Sequence, residues 1–248
     1  MGPIEFVSPN FGQLRVIGDR LHDGHDFVVL SDTKSNVFDF LIFLDSRGIC
    51  REFDHSLADK LISRITQTKR TYLLICRPLE LTIWATLIGF FALNRLSPAK
   101  IITNMGFVDF TPKKLSVLLD AAEQVELSVG KGVADSCFVE DFVSSGGEVM
   151  PLYSLRFGEA YRVAIEAIAA RHAMVIINTP LTDPGIIIER RRPPAFFRAL
   201  AESNEFNRSI NGAQVIDLPD FDETLTYDAV HYTPRGNDLI FDRIKGYL

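Results

Sequence analysis

Five short β-rich runs, each standing ahead of a helical stretch, constrain the fold of this sequence more than any other feature. They are residues 27–30 (FVVL), 72–75 (YLLI), 100–103 (KIIT), 174–177 (MVII) and 214–217 (QVID). Runs that are apolar on both faces are typical of parallel strands covered by helices on both sides. We therefore predict an α/β fold: a three-layer α/β/α sandwich around a central, mostly parallel five-stranded sheet.

Helical signals occupy the segments between these runs. Ser35 and Asn36 are possible N-caps for a helix over residues 37–46, and Asp54 precedes a helix over residues 56–66. Further helices are predicted over residues 81–93, 112–125, 158–172 and 194–210. The alternation of strand and helix supports a parallel sheet.

The first 26 residues fit this alternation less well. Residues 14–17 (LRVI) and turn signals at 18–19 and 23–24 predict a small hairpin. The chain shows no internal repeat and no linker rich in Pro, Gly and Ser. We predict an N-terminal extension over residues 1–26 and one domain over residues 27–248.

The charge balance disfavours nucleic acid as a partner. The chain has 26 Lys and Arg against 32 Asp and Glu, for a net charge of −6, so no general field attracts phosphate backbones. The densest basic run, residues 189–194 (ERRRPP), is more typical of a solvated loop.

The cysteines and the N-terminus indicate a cytoplasmic protein. Cys50, Cys76 and Cys137 show no CxxC spacing and suit reduced thiols. Residues 1–6 lack the basic and apolar regions of a signal peptide. The uncharged run at residues 81–93 is shorter than the roughly 20 residues of a membrane span, so it is interpreted as a buried helix.

Signals for a metal or a nucleotide cofactor are weak. His22 and His25 flank acidic residues, but they lack a further ligand cluster. The glycine clusters at residues 130–132 and 146–147 lack phosphate-loop spacing. We expect neither a metal nor a cofactor.

The pair Asp228 and His231 carries the clearest chemical signal. In open parallel sheets ligands bind beyond the carboxyl ends of the strands, and this pair falls in the loop after the last predicted strand. An Asp three residues before a His can hold one imidazole nitrogen and leave the other facing a nucleophile. This is the orienting half of a catalytic triad.

The surrounding motif, DAVHYTPRGN at residues 228–237, resembles the closing motif of the SGNH (GDSL-like) hydrolases, an Asp-x-x-His followed by a Thr-Pro-x-Gly helix start. Residues 204–218 resemble the late helix and last strand of that family, and residues 106–109 (GFVD) lie where it carries Gly-x-Asn-Asp. The resemblance covers roughly residues 27 to 248. It implies an SGNH/flavodoxin-like sandwich and an esterase acting on a small-molecule or glycan ester, with His231 as general base and Asp228 as its partner.

The nucleophile departs from the family pattern. The family's Gly-Asp-Ser would fall on Ser31-Asp32-Thr33, which puts Thr33 in the nucleophile's place, with Ser31 and Ser35 as substitutes. The β-branched Thr is restricted at χ1, so slow turnover is expected. A rival alignment on residues 16–21 (VIGDRL) would leave no nucleophile. The first alignment is preferred because residues 27–30 form the stronger strand.

The oxyanion donors depart from the pattern as well. Val108 stands where the family has the donor Asn, and Arg77 or Asn104 are the possible replacements. The predicted substrate-binding set is Ser31, Asp32, Ser35, Arg77, Asn104, Gly106 and Asp109. The resemblance therefore leaves three functions open: an esterase with an atypical triad, an acyltransferase, or a weak or inactive member that binds a ligand or partner.

Overall fold

The structure, a computed structural model, describes most of the chain. The described residues are 5–8, 12–15, 28–33, 35–49, 53–76, 84–111, 126, 138–145, 148–155, 159–182, 194–228 and 230–248. Several predictions fall outside them: Arg77, the helix over residues 112–125, the turn signals at 18–19 and 23–24, and the rival alignment on residues 16–21.

In the described part of the chain, ten strands form one central sheet and two hairpins. They are β1 (Glu5–Ser8), β2 (Gly12–Arg15), β3 (Val28–Ser31), β4 (Val37–Leu44), β5 (Tyr72–Cys76), β6 (Ser97–Thr103), β7 (Phe138–Ser145), β8 (Glu148–Leu155), β9 (Ala173–Ile177) and β10 (Ala213–Ile216). The central sheet has the order β10-β9-β6-β4-β5-β3, while β1 pairs with β2 and β7 pairs with β8. Five of the six central strands are parallel, and β3 runs antiparallel to β5.

Helices pack on both faces of this sheet. They are α1 (Leu57–Gln67), α2 (Trp84–Leu93), α3 (Phe107–Phe110), α4 (Glu159–Ala169), α5 (Pro194–Arg208) and α6 (Pro234–Ile244), with 3₁₀ turns at Ser46–Ile49 and Lys245–Tyr247. Leu41 and Phe43 of β4 share a buried cluster with α2 and α4. Phe40, Ile42 and Leu44 point to the other face and pack with α1 and α6. β4 is therefore covered on both sides.

The sheet is mostly parallel, as the sequence predicts, but it has six strands instead of five. The helix predicted over residues 37–46 is wrong, because this segment is β4 followed by the 3₁₀ turn. Residues 40–44 are five consecutive buried apolar side chains, a pattern that fits a central strand covered on both faces and gives no amphipathic helical face. The run at residues 27–30 becomes β3, the antiparallel edge strand.

Among the described residues, no helix has the length and apolar character needed to cross a membrane. The apolar run predicted as a buried helix corresponds to α2, ten residues long and buried from Trp84 to Phe90.

We predict that Gly236→Ala destabilises the protein. A Cβ at Gly236 in α6 would lie 2.1 Å from the Leu225 carbonyl oxygen, so backbone would have to move. The expected loss in free energy of unfolding is about 1–3 kcal/mol, measured by urea denaturation. Gly246→Ala is the matched control, since a Cβ there meets nothing within 4 Å. Equal stability of the two variants would contradict the packing described for α6.

Candidate active site

The carboxyl ends of the parallel strands place a serine at the centre of one sheet edge. β4 lies between β5 and β6, and Asp45 and Ser46 follow its last residue. Ser46 opens the 3₁₀ turn, in which the N–H of Gly48 donates to the Asp45 carbonyl at 2.9 Å. The Ser46 side chain is half-buried at this strand-to-helix turn. This is the edge at which ligands bind in open α/β sheets.

Ser46, His231 and Asp228 form a continuous hydrogen-bonded chain. The Ser46 Oγ lies 3.2 Å from the His231 Nε2. The His231 Nδ1 lies 3.0 Å from each carboxylate oxygen of Asp228. A carboxylate only accepts hydrogen bonds, so Nδ1 carries the proton and the lone pair of Nε2 faces the serine hydroxyl. The arrangement is that of a nucleophile, a general base and an orienting acid.

Hydrogen bonds within residues 226–231 hold the segment around Asp228 in a fixed conformation. The carboxylate accepts from the backbone N–H of Val230 at 3.2 Å and of His231 at 2.9 Å. The N–H of Tyr227 donates to the His231 carbonyl at 2.8 Å, and that of Asp228 donates to the Thr226 hydroxyl at 3.1 Å. The Asp228 side chain is 8% exposed and that of His231 is 22% exposed. The His231 imidazole therefore lies between the buried Asp228 carboxylate and the accessible side of the site.

Directly beside Ser46 lies a buried ion pair between Asp45 and Arg47. The Arg47 Nη2 is 2.7 Å from the Asp45 Oδ2, and both side chains are at most 1% exposed. The Arg47 Nε donates to the same carboxylate at 2.9 and 3.0 Å. The remaining guanidinium donors reach the Thr179 hydroxyl, the Tyr232 hydroxyl and the Asn104 carbonyl. All five N–H groups of the guanidinium thus have partners.

Burial and charge set the protonation of this cluster. Burial by itself would lower the pKa of Arg47, but the Asp45 carboxylate and the Tyr232 side chain outweigh it and hold that pKa above its ordinary value. Burial raises the pKa of the Tyr232 phenol, although Arg47 acts in the opposite direction. Arg47 is therefore cationic and Tyr232 is a neutral phenol throughout the neutral pH range.

Asn104 is predicted as an oxyanion donor, but in the structure its side-chain amide forms hydrogen bonds with Asp45. Its Nδ2 donates to the Asp45 Oδ1 at 3.0 Å, and its Oδ1 accepts from the Asp45 N–H at 2.9 Å. The Asn104 amide therefore fixes the strand-to-helix turn from the end of β6.

Gly106 and Asp109, also predicted to bind substrate, have structural contacts here. Gly106 precedes α3 with φ of 117°, and a Cβ there would lie 2.8 Å from the Asn207 Oδ1. The Asp109 Oδ1 accepts from the backbone N–H of Trp84, at the start of α2, at 3.1 Å. Val108, in the place of the expected donor Asn, packs partly buried against the core.

The structure does not bring Thr33 to His231, which corrects its assignment as the nucleophile. β3 is antiparallel, so its last residue, Ser31, pairs with Leu73 and the next residue, Asp32, contacts Tyr72 at the start of β5. Cys76, at the other end of β5, pairs with Leu44. At about 3.3 Å per residue, the length of β5 alone separates the two edges by about 13 Å. The Thr33 hydroxyl donates to the Ser35 carbonyl at 3.2 Å.

Ser31, Asp32 and Ser35 share this opposite edge. The Ser31 hydroxyl donates to the Tyr72 carbonyl at 3.3 Å, and the Ser35 hydroxyl donates to the Val37 carbonyl at 2.7 Å. The Asp32 carboxylate accepts from the Tyr72 N–H at 2.5 Å. Desolvation by burial raises the Asp32 pKa. Their prediction as substrate-binding residues is thus at odds with their position.

Sequence reasoning missed Ser46, Arg47, Thr179 and Tyr232. A usable signal existed for Ser46, since Asp45-Ser46 directly follows five apolar residues and matches the last two residues of Gly-Asp-Ser. Leu44 replaces the glycine of that motif. For Arg47 the sequence carries no local signal beyond the neighbouring Asp45, because its other partners come from three separate segments.

A search for metal-binding groups was confined to the residues that the structure describes. It finds no group of three or more His, Cys, Asp and Glu side chains that could hold a metal ion.

Comparisons with known proteins give distant structural neighbours. No protein-family model and no curated protein matches the chain. A family two carbohydrate esterase from Clostridium thermocellum, in complex with cellohexaose, has 9% identity and a TM-score of 0.42, covering 95% of this chain and 66% of that one. A GDSL-like lipase from Parabacteroides merdae has 12% identity and a TM-score of 0.41, covering 84% and 94%.

A third neighbour is an acetyl xylan esterase from the rumen bacterium Butyrivibrio proteoclasticus. It has 10% identity and a TM-score of 0.36, and the match covers 85% of this chain and 63% of the esterase. The chain thus spans less than two thirds of the length of either carbohydrate-active neighbour, 66% and 63%.

We predict that Asp45→Asn strongly destabilises the fold. Removing one partner of a buried ion pair leaves an uncompensated buried charge, and the expected loss in free energy of unfolding is about 3–5 kcal/mol. Asp242→Asn is the matched control, because its pair with Lys245 is largely exposed and is worth about 0–1 kcal/mol. Chemical denaturation of both variants measures the difference. Similar midpoints and slopes for the two would contradict the buried pair.

Proposed function

We propose that the protein is an SGNH-like serine hydrolase that cleaves an ester through an acyl-enzyme on Ser46. The observation that carries this proposal is the chain of hydrogen bonds from the Ser46 hydroxyl to His231 at 3.2 Å and from His231 to Asp228 at 3.0 Å. The acid and the base agree with the residues that the sequence motif suggests. The nucleophile is a primary hydroxyl, free of the β-branch that would slow Thr33.

The reaction would follow the two steps of a serine hydrolase. As the Ser46 Oγ attacks the ester carbonyl carbon, its proton passes to the His231 Nε2, and that proton then goes to the departing alkoxide. Water attacks the acyl-enzyme, gives one proton to His231, and releases the carboxylic acid while the proton returns to Ser46. Asp228 stabilises the imidazolium that forms in each step.

A backbone donor of the Ser46 turn is suited to the developing oxyanion. The N–H of Arg47 donates to the Asp45 carboxylate at 2.9 Å, and that of Gly48 donates to the Asp45 carbonyl at 2.9 Å. This leaves the N–H of Ser46, at the first position of the turn, as the donor that we propose. With Val108 in place of a donor Asn, we expect a slow enzyme.

The substrate that we propose is an O-acyl ester of a sugar or another small molecule. The resemblance of residues 228–237 to the SGNH motif supports this class. The half-buried serine at the sheet edge supports a substrate that reaches the site from solvent.

Ser46→Ala and Thr33→Val distinguish the two candidate nucleophiles. With p-nitrophenyl acetate as substrate, we expect Ser46→Ala to lower kcat/KM by about 10³-fold or more, since triad members act as a unit. Thr33→Val should stay within about twofold of the wild type, because the Thr33 hydroxyl contacts Ser35 at the opposite edge of the sheet and is distant from the reacting groups. Loss of activity in Thr33→Val, with activity retained in Ser46→Ala, would overturn the proposal.

Asp228→Asn tests the role of the acid. Asn can accept or donate at His231 Nδ1 and so no longer enforces the tautomer with a free Nε2, and kcat should fall by about 10³–10⁴-fold. Asp222→Asn is a matched control in the same loop, where the exposed carboxylate accepts from the Thr224 N–H at 2.7 Å. Steady-state kinetics on both variants measures the effect. A wild-type kcat in Asp228→Asn would show that Asp228 does not orient the base.

A further inference from the structure

We propose that Arg47 is the positioning residue that sets the distance between the Ser46 hydroxyl and His231. This inference rests on the proposed function and adds to it a residue outside the triad. Arg47 follows the nucleophile in sequence, is 1% exposed, and contacts Tyr232, the residue after the base. One side chain thus connects the two halves of the proton-transfer pair.

The guanidinium joins four segments at the same sheet edge. It reaches Asp45 after β4, the Asn104 carbonyl after β6, Thr179 after β9, and Tyr232 in the segment that carries the base. The Phe107 ring lies under it, with 5.3 Å from the guanidinium carbon to the ring centroid. Together these contacts fix the position of the guanidinium relative to the ends of the strands.

Ser46 is held from both sides by this cluster. Asp45 accepts from the Arg47 side chain and also from the Arg47 backbone N–H at 2.9 Å. The residues before and after Ser46 are therefore fixed to each other, which holds the backbone of Ser46 at the end of β4. The Tyr232 hydroxyl accepts a hydrogen bond from Arg47. The position of the neighbouring His231 therefore also depends on the guanidinium.

Arg47 has no role as a substrate ligand in this arrangement. Each of its five N–H groups already has an acceptor within the protein, and the side chain is fully buried. Its effect on the reaction must pass through Ser46 and His231. Lysine cannot replace it, since an ammonium has three donors around one nitrogen and lacks the planar fork.

Arg47→Lys and the double variant Asp45→Asn/Arg47→Met test the proposal. The double variant removes both charges and avoids an unpaired one, which favours folding. With p-nitrophenyl acetate we expect both to lower kcat by about 10–100-fold, since small misplacement of reacting groups has effects of this size. KM should stay within about twofold, because ester contacts are unchanged. Arg162→Lys, whose pair with Glu159 is at the surface, is the matched control.

The downfield proton resonance of the His231 Nδ1–H provides a readout that separates positioning from loss of structure. Its bond to Asp228 does not involve Arg47, so the resonance should persist in the folded variants while kcat falls. A folded variant that keeps this resonance and a wild-type kcat would overturn the proposal. Loss of the resonance together with activity would also overturn it, because Arg47 would then act through the fold as a whole.

Tyr232→Phe keeps the test informative if the charge variants do not fold. It removes only the hydroxyl that accepts from Arg47 at 3.5 Å. We expect a drop of at least about threefold in kcat with unchanged KM, the signature of an interaction that acts on the reacting geometry. An unchanged kcat would overturn the link to His231. If the wild type itself shows no turnover dependent on Ser46, the proposed function fails first, and that outcome is separate from these.

Discussion

The buried ion pair between Asp45 and Arg47 is the interaction on which the site depends. Taking two charges out of water is costly, and a buried pair is tolerated when each donor and acceptor has a partner. Here the carboxylate is also held by Asn104, and the guanidinium reaches Thr179 and Tyr232. The pair therefore holds together the ends of the neighbouring parallel strands, next to Ser46 at the end of β4.

The topology of the sheet also brings His231 to the edge that carries Ser46. β4 is a central strand, so the serine after it stands between loops from both sides. The segment carrying Asp228 and His231 leads into α6, which begins at the cap Thr233 and packs on the face shared with α1. The Asn237 side chain of α6 donates to the His55 carbonyl, ahead of α1, at 3.1 Å. The segment that carries His231 is thus held by α6 on one face, and Tyr232 in that segment contacts Arg47 at the sheet edge.

Local patterns in the sequence predict only part of this arrangement. Asp228 and His231 are three residues apart, so their pairing is a local property that spacing alone reveals. Ser46 is hard to identify from the sequence, because the apolar run of β4 does not alternate with polar residues and because Leu44 replaces the glycine of the Gly-Asp-Ser motif. The prediction of Thr33 as the nucleophile assumes that β3 is a parallel strand, and a short apolar run does not reveal the direction of its strand. The burial of Arg47 depends on long-range partners that no local pattern shows.

The location of a covalent adduct is the sharpest test of Ser46 as the nucleophile. A fluorophosphonate reacts with a serine only when a base activates it, and trypsin places Ser46 on the peptide of residues 35–47 and Thr33 on that of residues 21–34. The assignment of Ser46 as the nucleophile predicts an adduct at Ser46 that disappears in His231→Ala, with fragmentation excluding Ser35. An adduct on residues 21–34, or at Ser35, would contradict it.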